Sequence, residues 1–288
     1  MKKDKIEVPR ILIIAILFLI YIIPQTLVGQ EKFGVDSLKS GTNSWDRFAV
    51  NFGGFFSAYN SGITFRSKQI GLGVVIDIED ALGLETTVLA LRGEATYKIG
   101  KSKKNYLTIG YFGINRNARK TLDKELELGG IIYPIGTEVT SKFNLSIIRI
   151  KYGYSFYQDA RVSIGASFGL YIMPVAFIVR AQGQEDHETN FTAPLPLIGL
   201  RTDFQITRKF YLKQNVEFLY LSTSSFSGGI LDLAVFLEHK TFKNVAFGIG
   251  VNSNRLNVSL KKPDSNIDFF GDITMDYTGV LLYAGFYF

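Results

Sequence analysis

Through most of the chain, apolar side chains alternate with small or polar ones, segment after segment. In the segment 87–99, Leu89 and Leu91 fall on one face, and Arg92 and Glu94 fall on the other. A period of two residues is typical of β-strands, because successive side chains of a strand point to opposite faces. We therefore predict an all-β fold with no helix following any strand.

Ten segments share this alternation, and two architectures can produce it. In a soluble β-sandwich the apolar face is the core, whereas in a transmembrane barrel it meets lipid. The segments run roughly 10–14 residues, near the 9–11 that a tilted membrane strand needs, and their polar faces are rich in Gly and Ser. We favour the barrel. The predicted strands are 47–58, 86–98, 105–116, 143–156, 161–172, 198–206, 210–221, 230–240, 244–252 and 276–288.

Short and long connections alternate strictly between these segments, which indicates an antiparallel up-and-down barrel with short periplasmic turns and longer extracellular loops. The count is ten strands, with eight or twelve as alternatives. Region 61–85 is then an extracellular excursion that carries its own hairpin, 62–67 with 72–79. The predicted short connections are 100–104, 157–160, 207–209 and 241–243, and the long ones are 117–142, 176–194, 222–228 and 257–275. The long connection 117–142 has an alternation of its own, interrupted at Gly129 and Gly130, which predicts a hairpin that extends the barrel above the membrane.

The N-terminus has the order of a secretory signal peptide. Four basic residues precede an apolar run at 11–23, and a small residue, Gly29, follows it. The run is too short for a membrane-spanning helix, which needs about 20 residues. We predict a cleaved signal peptide at 1–30, a short periplasmic segment at 31–46 and the barrel at 47–288.

Charged residues on the polar faces of the strands are predicted to share the lumen. Five are basic and five are acidic, and in a narrow barrel they must pair, because an unpaired buried charge costs several kcal/mol. Such a network either plugs and stiffens the barrel or lines a constricted pathway for solutes. The predicted network is Arg92, Glu94, Arg149, Lys151, Arg201, Asp203, Lys213, Glu217, Asp232 and Glu238.

Composition narrows the chemistry. The chain has no Cys and two His, so cysteine nucleophiles, cysteine metal sites and disulfides are excluded. We predict no catalytic residue, no metal site and no cofactor. His187 follows Glu185 and Asp186 in a segment that reads as a solvated loop tip, and His239 lies at a strand end. Without residues 1–30 the chain keeps 28 basic and 24 acidic residues, and this net charge of +4 is too small for us to expect a nucleic-acid partner of an exported protein.

The last strand carries a family resemblance. Val280, Leu282, Phe286 and Phe288 occupy alternate positions, and the chain stops on the aromatic residue. In this the sequence resembles bacterial outer-membrane β-barrel proteins, at the level of small monomeric barrels. The resemblance implies an outer-membrane location beside lipid and lipopolysaccharide, and Phe286 and Phe288 as a signal for the barrel-assembly machinery.

Three functions remain open at this stage. The first is a non-enzymatic structural or surface-recognition role through extracellular loops, with no ligand named by the sequence. The second is a narrow channel for ions or small solutes. The third is a surface enzyme of the omptin or lipid-hydrolase type that uses His187 with Asp186 or Glu185.

Overall fold

The computed structural model describes residues 45–65, 75–128, 131–183, 186–223, 226–260 and 271–288. The predicted signal peptide (1–30) and residues 31–44 of the predicted periplasmic segment lie outside these ranges. Ten long strands make up most of the described chain. They are β1 (Phe48–Phe65), β3 (Thr87–Ile99), β4 (Asn105–Thr121), β7 (Glu138–Gln158), β8 (Val162–Ala181), β9 (His187–Gln205), β10 (Phe210–Ser222), β11 (Phe226–Lys240), β12 (Val245–Leu260) and β13 (Gly271–Tyr287).

These ten strands form one closed antiparallel sheet. Each long strand pairs with the next one along the chain, and β13 also pairs with β1, from Ala49↔Tyr287 to Phe65↔Gly271. Closure pairs the first strand with the last, which satisfies their backbone N–H and C=O groups. The predicted up-and-down barrel of ten strands is confirmed, and the alternatives of eight and twelve are not needed.

Both ends of the described chain lie at one end of the barrel, which we call the turn end. The backbone N–H of Arg47 donates to the carbonyl of Phe288 at 2.8 Å, and four short connections lie here. We call the opposite end the loop end. The turn-end connections are 100–104, 159–161, 206–209 and 241–244.

Local chemistry shapes the tight turns. Gly100 adopts φ 74°, which a residue without a Cβ reaches at no steric cost. In the next turn, Asp159 Oδ1 accepts the backbone N–H groups of Arg161 and Val162, each at 2.7 Å. Partial burial acts to raise the pKa of the Asp159 carboxyl, but these bonds outweigh it and lower the pKa.

Along the long strands, the polarity of the two faces reverses about halfway. On β7 the outward residues 148, 150, 152, 154 and 156 are apolar, but the outward residues 138–146 are polar. The inward residues behave oppositely: 149–155 are polar or Gly, and 139–147 are mostly apolar and buried. The outward apolar stretch is about nine residues long, which is the length a tilted strand needs to cross a bilayer.

The same reversal recurs on other long strands and divides the barrel into two halves. On β12 the outward side chains are apolar at 245–251 and polar at 253–259, and on β13 they change from polar to apolar between Thr278 and Val280. We call the part with the outward apolar band the turn-end half, and the rest the loop-end half. The loop-end half contains ten residues of β7. At about 3.3 Å per residue and a tilt of about 40°, this half extends about 25 Å from the edge of the band.

The loop-end half has a hydrophobic core inside the barrel, and further short elements pack on it. The helix α1 (Ile78–Leu82) is capped by the Asp77 side chain, and Ile78 and Leu82 are fully buried. A separate hairpin of β5 (Leu126–Leu128) and β6 (Ile131–Tyr133) buries Leu128 and Tyr133. No helix among the described residues is long and apolar enough to cross a membrane.

Two expectations about this region are wrong. Much of 176–194 and the described part of 257–275 is strand rather than loop, because the alternation continues there with its polarity reversed. The hairpin expected in 117–142 is present, since β4 and β7 pair there from Asn117↔Lys142 to Thr121↔Glu138. The helix α1 was not expected either, since a helix this short has no periodicity to detect. The predicted hairpin in 61–85 is confirmed where it is described: Gly62 pairs with Asp77, through β2 (Val75–Asp77), and residues 66–74 lie outside the described part.

Candidate functional site

The ten predicted lumen charges all lie on inward faces of the turn-end half, and the structure pairs eight of them directly. The Lys151 ammonium donates to the Glu217 carboxylate. The other direct pairs join Arg149 to Glu94 at 3.5 Å, Arg201 to Asp203 at 2.9 Å and Lys213 to Glu238 at 2.8 Å.

The remaining two charges meet through an amide rather than directly. Arg92 Nη1 donates to Asn252 Oδ1 at 2.9 Å, and Asn252 Nδ2 donates to Asp232 Oδ1 at 2.7 Å. Asn254 Nδ2 adds a second bond to Asp232 at 3.0 Å. The Asp232 carboxylate is therefore hydrogen-bonded by neutral amides. A prediction from charge balance alone expects a cation there instead.

Tyrosine hydroxyls complete the network. Tyr171 donates to Glu217, and Tyr283 donates to Glu238 at 2.9 Å, where Tyr287 is also a donor. These tyrosines alternate in phase with the charges, so their inward positions were readable from the sequence, although the carboxylates they would bind were not. The charges and hydroxyls together hold at least five strands in register across the lumen.

The turn-end lumen retains small cavities, whereas the loop-end lumen is nearly filled. Two cavities of about 50 Å³ and 40 Å³ share Asn51, Arg201 and Lys213 in their walls. A water needs about 10–15 Å³ on this measure, so both have room for water. Between Phe143 and Met275 in the loop-end core, the cavity is only about 10 Å³. Side-chain packing therefore blocks the lumen at this level.

A buried ion pair fixes the helix α1 to the loop-end core. The Arg116 guanidinium, on β4, pairs with the Glu79 carboxylate of α1 and donates to Ser61 Oγ at 3.0 Å. Glu79 Oε2 accepts the backbone N–H of Ser61 at 2.9 Å. The Arg116 charge also lies over the rings of Tyr59 (5.1 Å) and Phe143 (4.8 Å). Neither Glu79 nor Arg116 was among the predicted site residues.

The outer surface of the loop-end half is polar and carries exposed ion pairs, Arg180–Asp186 at 2.9 Å and Arg255–Asp276 at 3.1 Å. Exposed apolar side chains interrupt this polar surface at the β5–β6 hairpin. Ile132 on the β5–β6 hairpin is 51% exposed, and Ile135, just after it, is 69% exposed. Contiguous exposed apolar groups are a feature of contact surfaces, and Ile132 and Ile135 lie three residues apart.

The histidines do not form a catalytic cluster with described acids. His187 is not on a solvated loop tip: it begins β9, pairs with Val179, and packs on the Phe177 ring at 6.3 Å. Burial lowers the pKa of its imidazole. His239 lies at the turn end, with its ring 4.7 Å from that of Phe210. Among the described residues, no group of three or more His, Asp or Glu could hold a metal.

The two C-terminal phenylalanines lie at the turn end and face outward. Phe286 is 41% exposed and Phe288 is 64% exposed. The carbonyl of Phe288 accepts the N–H groups of Arg47 and Phe48, and its ring lies 6.2 Å from that of Phe48. The last residue therefore takes part in closing the barrel.

The chain resembles known proteins in its fold but not in its sequence. No protein-family model matches the chain, and no curated protein matches it in sequence. The outer membrane protease OmpT from Escherichia coli superposes with a TM-score of 0.56 at 10% identity, over 84% of this chain and 96% of that one.

Two further solved structures match less well, each at 10% identity. The transport unit of the Escherichia coli autotransporter AIDA-I has a TM-score of 0.43 over 93% of this chain and 97% of its own. Ail, the attachment invasion locus protein of Yersinia pestis, has a TM-score of 0.37 over 84% and 97%. By its closed ten-stranded sheet and its likeness to OmpT, the chain has the β-barrel fold of bacterial outer-membrane proteins.

Proposed function

We propose that this protein is a closed, non-enzymatic outer-membrane barrel whose loop-end half acts in surface recognition. The observation that carries the proposal is the reversal of polarity along the strands. A barrel with a polar exterior and an apolar core beyond the lipid band is a rigid platform, and rigid platforms present binding surfaces well. The exposed Ile132 and Ile135 mark the contact surface.

The filled lumen argues for recognition rather than conduction. A solute would have to displace α1 and the loop-end core, where the Glu79–Arg116 pair and fully buried side chains such as Tyr133 and Leu195 pack together. The narrow channel remains the second candidate, and the two turn-end cavities favour it. These two cavities would form the turn-end part of the channel.

A surface enzyme is the weakest candidate. The carboxylate of Asp186 accepts from Arg180 Nε at 2.9 Å, so it serves an exposed ion pair. Thr189 Oγ1 lies 3.1 Å from His187 Nε2, and Glu185 lies outside the described residues. We expect cells that carry the wild type and cells that carry the His187→Ala variant to show the same protease, lipase and deacylase activities as cells without the protein.

Location and biogenesis follow from the same proposal. The loop end faces the outside, the turn end faces the periplasm, and lipid and lipopolysaccharide surround the outward apolar band. Residues 1–30 are removed on export, and Phe286 and Phe288 contribute the signal for barrel assembly. N-terminal sequencing of the mature protein tests the cleavage, with a start near residue 30 expected.

Two measurements test the function. Purified protein in planar bilayers is expected to give no stable conductance steps, and steps that change with Arg149→Ala or Arg201→Ala would establish the channel instead. For recognition, cells that display the protein are applied to an array of immobilised glycans and proteins. Binding should fall in an Ile132→Ser, Ile135→Ser variant but persist in an Arg255→Ser control. Equal binding by cells lacking the protein would contradict recognition.

A further inference from the structure

Lys98 is a buried cation that has no carboxylate partner among the described residues. It lies near the turn-end terminus of β3 on the inward face, and it is only 9% exposed. Its ammonium lies 4.7 Å from the centre of the Trp45 ring, a cation–π contact. Among the described residues, no carboxylate oxygen comes within ion-pair distance of it.

The cavity that Lys98 lines has one more positive than negative group. This is the cavity of about 50 Å³, and each of its carboxylates already has a cation of its own. The cations in its wall are Lys98, Arg201, Lys213 and Lys240, and the carboxylates are Asp46, Asp203 and Glu238.

The pairing within the wall assigns every group except one. Asp203 binds Arg201 at 2.9 Å, Glu238 binds Lys213 at 2.8 Å, and Asp46 binds Lys240 at 2.8 Å. Lys98 is left over. A buried charge without a counter-charge is costly, so an anion that enters the cavity gains a strong electrostatic partner.

The cavity opens at the turn end. At its rim, the side chains of Asp46 and Lys240 are 34% and 19% exposed. One wall is held in place by Trp45, whose Nε1 donates to the Asp159 carbonyl at 2.9 Å and whose own carbonyl accepts from Lys103. The volume suits one small anionic group rather than a large ligand.

We propose that the turn-end cavity binds a single small oxyanion, a carboxylate or a phosphate group, against the Lys98 ammonium and beside the Trp45 ring. This site is separate from the recognition surface of the loop end, and its chemistry does not depend on that proposed role. If the turn end faces the periplasm, the group belongs to a periplasmic molecule or to the free ion.

The chain contains its own reporter for this site. Trp45 is the single tryptophan of the sequence, so the indole fluorescence of the folded barrel in detergent reports on the cavity. The protein is titrated with sodium acetate and, separately, with inorganic phosphate at constant ionic strength. A saturable change with either anion is expected, and the anion that binds more tightly distinguishes carboxylate from phosphate as the preferred group.

Lys98→Met is the decisive variant, because it keeps the apolar stem and removes the charge. It should weaken binding at least tenfold, whereas Lys101→Met, at an exposed position of the adjacent turn, should leave binding unchanged. Since loss of the ammonium alters the indole signal itself, calorimetric titration with the same anions provides the second readout. Heat-modifiable migration on gels verifies that each variant is folded.

Two results would overturn the proposal. They are a wild type without saturable binding in either readout, and a Lys98→Met variant that binds as tightly as the wild type.

Discussion

The two halves of the barrel share the same strands but have opposite polarity on their outward and inward faces. In the turn-end half, the outward faces are apolar and the lumen holds ion pairs, amides and tyrosine hydroxyls. In the loop-end half, the outward faces are polar and the lumen holds a hydrophobic core. One half is built as a membrane barrel and the other as a water-soluble one. The comparison shows that backbone closure sets the scaffold, while the surroundings of each half decide which side chains face outward.

The largest expected effect is the loss of one buried charge from the loop-end half. Glu79→Ala leaves Arg116 buried between aromatic rings in the apolar half, and breaking such a pair costs about 3–5 kcal/mol. The free energy of unfolding, measured by denaturant titration in detergent, should fall by that amount. The double variant Glu79→Ala, Arg116→Met should recover most of the loss, because it removes the uncompensated charge. A single variant as stable as the wild type would contradict the assignment of the pair to a buried core.

In the turn-end half, crowding around the lumen tyrosines gives a second, smaller effect. A Cβ on Gly248 would lie 2.2 Å from the Tyr283 ring, whose hydroxyl is bound to Glu238. Gly248→Ala must displace that ring, which we expect to cost about 1–3 kcal/mol. Gly93→Ala is the matched control: its Cβ would face Phe52 at an ordinary 3.6 Å, and its cost should stay within about 0.5 kcal/mol. Equal losses would show that the lumen is not tightly packed around Tyr283.

The smallest expected effect is a pH dependence confined to the loop-end half. Burial lowers the pKa of His187, so below its unfolded value of about 6.5 the unfolded chain binds the proton more readily. Stability should therefore decrease as the pH falls from about 6.5 towards the folded pKa, and then level off. NMR titration of the imidazole should give a midpoint below 6.5, and His187→Phe should remove this contribution to the pH dependence. A midpoint above 6.5 would mean that His187 gains an acidic partner.

The strands of the turn-end half could be predicted from the sequence because each carries outward apolar residues with a simple alternation. The inward phase of Arg149 and Lys151 follows from the same pattern. Their partners do not, because pairing across a barrel depends on the stagger between strands, which a single sequence does not encode locally. Asn252, which joins Arg92 to Asp232, carries no charge to attract notice.

Outside the hairpins expected in 61–85 and 117–142, the loop-end half was predicted as loops for identifiable reasons. Its alternation has the opposite polarity, and outward Ile178 blurs the contrast on β8. Pro194 and Pro196 on β9 also argue against a strand. Among the described residues, however, the pairing of β9 with β10 reaches only to Ile198↔Phe218, so these prolines lie where no ladder partner on that side is needed.

Cysteine scanning along β7 tests the reversal most directly, since the chain has no native Cys. Single cysteines replace the outward residues from Glu138 to Phe156 in protein reconstituted in liposomes, and each is spin-labelled. Collision with a water-soluble nickel complex should dominate at 138–146, and collision with lipid-dissolved oxygen should dominate at 150–156, with the change near Ile148. Lipid exposure along the entire strand, or water exposure along all of it, would contradict a barrel whose two halves face different solvents.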